Sequence, residues 1–368
     1  MPTVSKIAAT IALAGTVAGA GIGVSSADSA PAGAAQRVAV IGLGGTIAGT
    51  SDRRTDLETY RPGTRPIAEL VDSLRPEIGD VAAVTTEDFG QKGSGEYTVA
   101  DLYDLAQLVE RRLRDHDSVV VSTGSATMEE LSYFLDLTVR STKPVVVTGA
   151  MRPWTAIGSD GPINLYNAIR LAASNRTTCF GTVIALNEQI LPARDATKTD
   201  STRVHTFTTH EYGDLGTIDQ AGIRVQRAPA RVQRCDDPAR WTTPFDLTTI
   251  PRDTLPRVDI AHSYLDAPAE AITAAVAAGA KGIVFAGTPS PSQANAAMAT
   301  KGIALVATNG YGSGAITVDP KTGVVSGGDL APKKARLLLL LALAATADHD
   351  HDHDQIVAWF RDYGNQQF

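Results

Sequence analysis

The chain has 368 residues, of which 43% are hydrophobic and 20% are charged, and its formal net charge is −7. This composition is ordinary for a globular protein, and a prior of about 150 residues per domain suggests two domains. The acidic balance gives no electrostatic attraction to phosphate, so we expect neither a nucleic-acid partner nor an anionic membrane partner. The expected partner is a small-molecule substrate.

The first thirty residues differ from the rest of the sequence. Lys6 precedes an apolar run rich in alanine and glycine from Ile7 through Val24, and the small residues around Ala27 suit a signal peptidase. We interpret residues 1–30 as an export signal and expect a secreted or periplasmic protein with no membrane attachment after cleavage. A membrane anchor is the alternative, but the run is weakly hydrophobic and no stop-transfer pattern follows.

Between Arg37 and about Leu186, apolar strands alternate with amphipathic helices. The predicted strands are Val38–Ile41, Val81–Thr85, Val119–Ser122, Val145–Thr148 and Val183–Leu186, and the predicted helices are Ile67–Leu74, Thr98–Arg114, Met128–Thr138 and Ile163–Ser174. This alternation predicts an α/β fold in which a mostly parallel sheet carries helices on both faces. We assign this larger N-terminal domain to residues 36–225.

The pattern changes after residue 225. Residues 226–256 are rich in Pro, Arg, Asp and Thr, which suits a linker better than a packed layer. A smaller C-terminal α/β domain is predicted over residues 257–368. Its predicted strands are Val258–Ala261, Gly282–Ala286 and Ile303–Thr308, and its predicted helices, each opening on a proline, are Pro268–Ala278 and Pro332–Ala345.

Small and hydroxyl-bearing residues follow two of the predicted strands. The strand Val38–Ile41 runs into a glycine-rich segment that ends in Thr46, and Val119–Ser122 runs into Thr123-Gly124-Ser125-Ala126. Ligands of open α/β sheets bind at the carboxyl ends of the strands. We therefore expect Thr46 and Ser125 to face one site.

These two segments, together with Met128–Leu135, Gly149–Pro153 and Arg194–Thr199, resemble the bacterial L-asparaginase/glutaminase family. The resemblance extends over nearly all of the sequence after about residue 36. It implies a two-domain amidohydrolase that deamidates L-asparagine to aspartate and ammonia without a cofactor. It also implies homodimers or homotetramers, with the site near a subunit boundary.

The resemblance implies a role for several residues. Thr46 is at the position of the family's nucleophile, and Tyr60, after the polar loop Thr50–Thr59, matches the tyrosine that assists it. Ser125 and Lys198 match the second catalytic group, in which serine replaces the usual threonine. The resemblance also implies four positions that contact the substrate, and Ser94 is the one expected to hold its α-carboxylate. These positions are Gly45, Ser94, Gly124 and Ala126.

The sequence departs from the family where the family recognises the substrate's α-ammonium. Ala126 replaces an aspartate, Gly95 replaces a glutamine, and the segment Thr288–Ser292 lacks the family's asparagine and glutamate. Losing the aspartate predicts a lowered pKa for Lys198, because burial and the absence of a negative charge both disfavour the ammonium form. It also predicts a changed substrate, since truncating one partner of a buried charge pair costs about 2–5 kcal/mol.

Two functional alternatives follow from this departure. One is an amidase, lactamase or esterase whose substrate carries a carboxylate but no free α-ammonium. The other is a catalytically silent binding protein that has kept the cleft. Ammonia release from L-asparagine distinguishes asparagine deamidation from both, and thermal stabilisation by a ligand without turnover indicates the silent protein.

Other interpretations of single motifs are weaker. An isolated Thr46 would most often cap a helix. Gly42–Gly45 begins a dinucleotide fingerprint, but Ile47 occupies the third glycine's place, so we expect no nicotinamide cofactor. No Gly-x-Ser-x-Gly elbow indicates a Ser-His-Asp hydrolase. Glu129 and Glu130, in the first turn of a helix, suit a structural role because carboxylates favour that end of the helix dipole.

The histidines near the end of the sequence and its two cysteines are the remaining candidates for metal binding and for a disulfide. His349, His351 and His353 alternate with aspartates, but residues two apart do not share a helical face, so we expect no functional metal site. Export would permit a disulfide between Cys179 and Cys235. The sequence does not decide whether these two cysteines are bonded.

Overall fold

A computed structural model describes residues 35–347 and 352–364. The predicted export signal lies outside these residues, as do His349 and His351. The described strands are β1 Arg37–Gly44, β2 Ala83–Lys92, β3 Ser118–Ser122, β4 Val145–Thr148, β5 Thr182–Leu186, β6 Gln189–Pro192, β7 Thr197–Lys198, β8 Phe207–Thr208, β9 Gly216–Asp219, β10 Gly222–Val225, β11 Val258–His262, β12 Gly282–Ala286, β13 Ala304–Thr308 and β14 Val325–Ser326.

The α-helices alternate with these strands over most of the described residues. They are α1 Ile67–Asp72, α2 Val99–Asp115, α3 Met128–Thr138, α4 Gly161–Ala173, α5 Pro238–Trp241, α6 Glu270–Ala277, α7 Pro291–Ala299, α8 Pro332–Ala345 and α9 His353–Gly364. Within residues 35–347 and 352–364, no helix is both long enough and apolar enough to cross a membrane.

The larger sheet has eight strands in the order β10-β9-β6-β5-β4-β3-β1-β2. The five strands from β5 to β2 in this order are parallel, and β6, β9 and β10 extend the sheet with antiparallel pairs. Parallel pairing brings the carboxyl ends of β1 and β3 to the same edge, since Gly42 is opposite Ser122. That edge is where the candidate residues follow.

Helices cover both faces of this sheet, as the strand–helix alternation predicts. Successive residues of β1 belong to different hydrophobic clusters, with Ala39 and Ile41 in one and Val38 and Val40 in the other. The first cluster contains α2, α3 and α8, and the second contains α1 and α4. The residues of a strand point alternately to opposite faces, so both faces of the sheet are buried.

The strand predicted at Val81–Thr85 was misplaced: β2 begins at Ala83 and continues to Lys92. β2 is an edge strand of the sheet. Because an edge strand has only one neighbouring strand, it is less buried, and the second half of β2 carries polar residues such as Glu87 and Gln91. This half therefore lacks the continuous apolar pattern by which a buried strand is recognised in a sequence. The hairpin strands β6, β9 and β10 were likewise not predicted from the sequence.

The smaller sheet is parallel, in the order β11-β12-β13-β14. Helix α8 opens on Pro332 as predicted, whereas α6 begins at Glu270, after its N-cap Ala269, so Pro268 precedes the helix. Helix α8 packs against β12 and also against α3 of the larger domain. Its leucine-rich segment Leu337–Leu341 is buried in the same cluster as Phe134.

The segment between the two sheets is packed, although its composition suggested a linker. It contains α5, and Trp241, Phe245 and Ile250 are buried. Cys179 and Cys235 form a disulfide, which settles the question that the sequence left open. The indole Nε1 of Trp241 donates to the carbonyl oxygen of Cys179 at 2.8 Å, so this segment is attached to the start of β5 by a covalent and a polar link.

Candidate active site

Two glycines bring the ends of β1 and β3 into contact. Gly45 has φ 74°, and a Cβ added there would lie 2.2 Å from the Cα of Gly124. A Cβ on Gly124 would lie 2.7 Å from the Cβ of Ser94. Only residues without a Cβ permit this approach, which places Thr46 and Ser125, the next residue after each glycine, at one sheet edge. The N–H of Gly45 donates to the carbonyl of Lys92.

Thr46 is the first residue of a short 3-10 turn, Thr46–Ala48, and its hydroxyl caps no helix. The residue is buried, with 7% of its surface exposed. The Oγ1 atom of Thr46 lies 2.6 Å from the phenol oxygen of Tyr60. This hydrogen bond joins the predicted nucleophile to the tyrosine predicted to assist it.

The loop between these two residues is a closed hairpin. An antiparallel bridge pairs Thr50 with Arg61, so the two ends of the loop lie side by side. Tyr60, the residue before Arg61, is thereby placed next to Thr46. Ser51 contacts the loop after β4, because its backbone N–H and its hydroxyl both lie 3.0 Å from the hydroxyl of Thr155. This hairpin forms one wall of the candidate site.

Lys198 and Ser125 form the second polar pair. The Nζ atom of Lys198 donates to the Oγ atom of Ser125 at 2.8 Å. Burial is the main factor that lowers the pKa of Lys198, and the ammonium of Lys333 acts in the same direction against the weaker attraction of Asp200 and Glu129. The predicted direction of the shift is confirmed. A lysine with a lowered pKa is a better proton acceptor near neutral pH.

Two buried cationic residues, Arg194 and Lys334, hold the segment that leads into β7, the strand that carries Lys198. Arg194, 6% exposed, pairs with Asp195 at 2.5 Å and also with Asp329 from the smaller domain. The Nζ atom of the fully buried Lys334 donates to the carbonyl oxygens of Arg194 and Ala196 at 2.6 and 2.5 Å. These contacts hold the backbone immediately before Lys198.

The four predicted catalytic residues line one cavity of about 470 Å³. Its lining residues are Thr46, Leu57, Glu58, Tyr60, Ser125, Met151, Arg152, Lys198, Ser201, Thr202 and Arg203. The sequence analysis did not identify Glu58, Arg152 or Arg203 as site residues. A signal was available for Arg152, since Gly149–Pro153 directly follows β4 at the same sheet edge.

The predicted substrate-binding positions lie beside this cavity. Gly45 and Gly124 are buried where the two segments touch, and Ser94 packs against Gly124. Thr127 Oγ1 donates to the carbonyl of Ser94 at 3.1 Å, which links the end of β2 to the segment after β3. Ala126 is exposed, so the position of the missing aspartate opens to solvent.

No histidine of the described residues lines this cavity. His116 is buried and bonds to the hydroxyl of Thr85 at 2.7 Å, away from the residues that line the cavity. His353 is the first residue of α9. Among the residues that the structure describes, no group of three or more His, Cys, Asp or Glu is arranged to hold a metal ion.

Comparison with known proteins matches both domains. A family model described as "Asparaginase, N-terminal" matches residues 37–231, and one described as "Glutaminase/Asparaginase C-terminal domain" matches residues 257–360. The chain is 35% identical to a "Probable L-asparaginase periplasmic" of Haemophilus influenzae, over 88% of this chain and 92% of that protein. It is 37% identical to "L-asparaginase 2" of Bacillus subtilis, over 86% and 84% respectively.

A solved structure has the same fold. A "Probable Cytoplasmic L-asparaginase" from Campylobacter jejuni matches with a TM-score of 0.80 at 34% identity, covering 89% of this chain and 99% of that one. The fold, the two matched domains and these relatives define an amidohydrolase of the L-asparaginase type. The chain belongs to the asparaginase family.

Proposed function

We propose that this protein hydrolyses the C–N bond of a carboxamide with Thr46 as nucleophile, nominally the amide of L-asparagine, which gives aspartate and ammonia. The observation that carries the proposal is the pairing of four polar residues around one cavity. Thr46 bonds to Tyr60 at 2.6 Å and Ser125 to Lys198 at 2.8 Å, and all four line the same space. A hydroxyl nucleophile requires such neighbours to remove its proton.

The proposed reaction has two steps. The Thr46 oxygen attacks the amide carbon, its proton is transferred through the neighbouring hydroxyls to the departing nitrogen, and ammonia leaves an acyl ester on Thr46. Water then attacks this ester, and the neutral amine of Lys198 accepts the water's proton through Ser125 before returning it to Thr46. A directly assisted hydrolysis without the ester uses the same groups.

The charge of the cavity supports a changed substrate preference. Arg152 and Arg203 line it with positive charges, and Ala126 supplies no carboxylate. A substrate that carries a carboxylate and lacks an α-ammonium fits this lining better than a zwitterionic amino acid does. We therefore favour an amidase that acts on such compounds. Lactams or esters of the same charge are further candidate substrates.

One observation favours ordinary asparagine instead. Glu58, on the hairpin before Tyr60, lines the same cavity and is the carboxylate nearest in sequence to the catalytic tyrosine. It is exposed, so solvent weakens its attraction for a substrate ammonium. If Glu58 replaces the missing aspartate, Glu58→Gln raises KM for L-asparagine and leaves KM for an amide without an α-amino group unchanged.

The proposal is tested by ammonia release from a matched panel of amides. The panel contains L-asparagine, L-glutamine, N-acetyl-L-asparagine, and succinamate, which is asparagine without its α-amino group. Release from any of these that is lost in Thr46→Val supports a threonine-dependent amidohydrolase. No release from the whole panel, with ligand-induced thermal stabilisation, would instead identify a silent binding protein.

Two further proposals concern assembly and location. We propose a homodimer or homotetramer, supported by large apolar residues left exposed near the carboxyl ends of the smaller sheet, namely Tyr264, Leu265 and Tyr311.

We propose export of the mature protein, supported by the apolar N-terminal run. One relative is named periplasmic and one solved structure cytoplasmic, so fractionation of the expressed protein is the test.

A further inference from the structure

The loop between β4 and α4 is closed by one buried carboxylate. Asp160 is the N-cap residue of α4, yet its side chain accepts no hydrogen bond from the first turn of the helix. The carboxylate instead accepts the backbone N–H groups of Met151 and Arg152, at 3.0 and 2.9 Å, and the Nδ2 group of Asn164 at 3.0 Å. We call residues 149–160 the clasp loop.

These hydrogen bonds stabilise a carboxylate that is removed from water. Asp160 is 9% exposed, and burying a charged group is costly unless it is hydrogen-bonded. Hydrogen bonds to a carboxylate are charge-assisted and roughly twice as strong as those between neutral groups. Within the same loop, Nη1 of Arg152 donates to the carbonyl oxygen of Gly158 at 2.8 Å. The two ends of the clasp loop are therefore tied to each other.

The clasp loop reaches Tyr60 through Gly49. The backbone N–H of Trp154 donates to the carbonyl oxygen of Gly49 at 3.0 Å. Gly49 lies against the Tyr60 ring, since a Cβ added to this glycine would be 2.9 Å from Cδ2 of Tyr60. The next residue, Thr50, forms the bridge that closes the hairpin. The bond to Gly49 therefore fixes the backbone on which the Tyr60 ring rests.

Two further contacts attach the clasp loop to the half of the hairpin that precedes Tyr60. The backbone N–H of Ile157 donates to the carbonyl oxygen of Arg54 at 2.8 Å. The hydroxyl of Thr155 accepts the N–H of Ser51 at 3.0 Å and lies 3.0 Å from the Ser51 hydroxyl. The hairpin is thus bonded to the clasp loop at both of these points as well as at the residue before its bridge.

We propose that Asp160 is a positioning residue for Tyr60: its carboxylate fixes the clasp loop, and the clasp loop holds the hairpin so that the Tyr60 phenol stays 2.6 Å from the Thr46 hydroxyl. The inference rests on the proposed role of Tyr60 in assisting Thr46. Asp160 and Thr155 lie outside the lining of the cavity, so their effect on catalysis is exerted through the hairpin.

The first test is kcat in variants of these two residues. Asp160→Asn places an N–H group where the carboxylate meets N–H donors, and Thr155→Val keeps the shape of the residue but removes its hydroxyl. Each is expected to lower kcat by about tenfold to a hundredfold, because a displacement of about 1 Å at a catalytic group costs up to about a hundredfold. Thr155→Ser, which keeps the hydroxyl, retains the wild-type rate.

The matched control is Thr300→Val, in the smaller domain. It removes a half-buried hydroxyl that donates to the carbonyl oxygen of Ala296, and it is expected to leave kcat unchanged. Wild-type kcat in Asp160→Asn would overturn the proposal. If Asp160→Asn does not fold, Thr155→Val decides in its place, with the same outcomes.

A double-mutant cycle shows whether the loss acts through Tyr60. Tyr60→Phe already lacks the phenol oxygen, so adding Asp160→Asn or Thr155→Val to it is expected to change kcat by less than about twofold. A merely structural role lowers kcat by the same factor in the wild-type and Tyr60→Phe backgrounds. Equal factors in the two backgrounds would therefore overturn the proposal.

Hydrogen exchange separates this inference from the proposed function, because it requires no turnover. The N–H of Ser51 is bonded to Thr155 and that of Arg61 to Thr50. Exchange in peptides covering residues 49–61 is expected to be about tenfold faster in Asp160→Asn and Thr155→Val, as for the loss of one hydrogen bond, and unchanged in the smaller sheet.

The exchange result has a clear meaning in each case. Faster exchange in a protein that hydrolyses no amide supports the holding of the hairpin by the clasp loop, and it is then the proposed function that fails. Unchanged exchange in both variants overturns the inference, whatever the kinetics show.

Discussion

Lys198 donates a 2.8 Å hydrogen bond to Ser125 although the aspartate expected beside it is replaced by Ala126. Burial is the main cause of the lowered pKa of Lys198, and the carboxylates of Asp200 and Glu129 oppose it. The pair therefore has the geometry that the proposed base and its relay require, and Ala126 offers no carboxylate to a substrate ammonium.

Replacing Lys198 tests its role in proton transfer. In Lys198→Met the proton acceptor is lost and the aliphatic stem is kept, so kcat falls by about 10²–10⁴-fold, the range typical of general-base catalysis. The measurement is kcat on the best amide of the panel, with the melting temperature as a check on folding. Lys301→Met, at an exposed turn, is the matched control and retains wild-type kcat. Equal rates in the two variants would remove Lys198 from the mechanism.

The hydroxyl of Thr46 is the second target. Thr46→Val keeps the shape of a buried residue and removes the attacking oxygen, so kcat falls by at least about a thousandfold. The free energy of unfolding changes by only about 1 kcal/mol, because a single hydrogen bond to Tyr60 is lost. Denaturant unfolding and initial rates measure the two effects. Substantial residual turnover in Thr46→Val would assign the attack to another group.

The buried Lys334 predicts a dependence of stability on pH. Burial lowers its pKa to about 8 from the ordinary 10.5. Between these two values the unfolded protein binds the proton that the folded protein has lost, so the free energy of unfolding rises with pH. From pH 7.5 to pH 10 this rise is about 2 kcal/mol.

The measurement compares wild type with Lys334→Met at several pH values by denaturant unfolding. Burial also raises the pKa of Tyr133, which titrates in the opposite sense on stability, but its effect is common to both proteins and cancels in the difference. The wild type gains stability relative to the variant as the pH increases. A constant difference across the range would show that Lys334 does not change its protonation on folding.

The disulfide between Cys179 and Cys235 is predicted to stabilise the fold. It closes a loop over a sequence separation of 56 residues. The double variant Cys179→Ser/Cys235→Ser is expected to lose about 2–4 kcal/mol of unfolding free energy, mainly because the unfolded protein is less constrained. Reductant should lower the melting temperature of the wild type to that of the variant and leave the variant unaffected. A wild type insensitive to reductant would mean that the bond contributes nothing.

Much of the fold was predictable because its central strands are apolar and its helices are periodic. β3, β4 and α3 were predicted within a residue of their observed limits. The edge elements were not, because β2 and the antiparallel strands lack a continuous apolar run. Helix α7 was also missed, although Ser290 and Gln293 form a capping box that signals its start.

The candidate site was only partly predictable. Thr46 and Ser125 follow strands directly, so their meeting at one sheet edge is a consequence of parallel pairing. Glu58 and Arg203 reach the cavity from loops, and no local pattern marks them. The contact of Lys333 with Glu129 joins residues 204 positions apart in different domains. Pairing at that separation is set by the packing of α8 on α3, which single-sequence patterns do not encode.

The central claim is that the site kept its catalytic groups and lost its counter-ion for an α-ammonium. The most direct measurement is the ratio of kcat/KM for succinamate to that for L-asparagine, in the wild type and in Ala126→Asp. Because Ala126 is exposed, the missing charge pair is expected near the low end of its range, about 2 kcal/mol or roughly thirtyfold. We predict a ratio above one in the wild type that falls about thirtyfold in Ala126→Asp. Efficient hydrolysis of L-asparagine by the wild type, with succinamate ignored, would contradict the account.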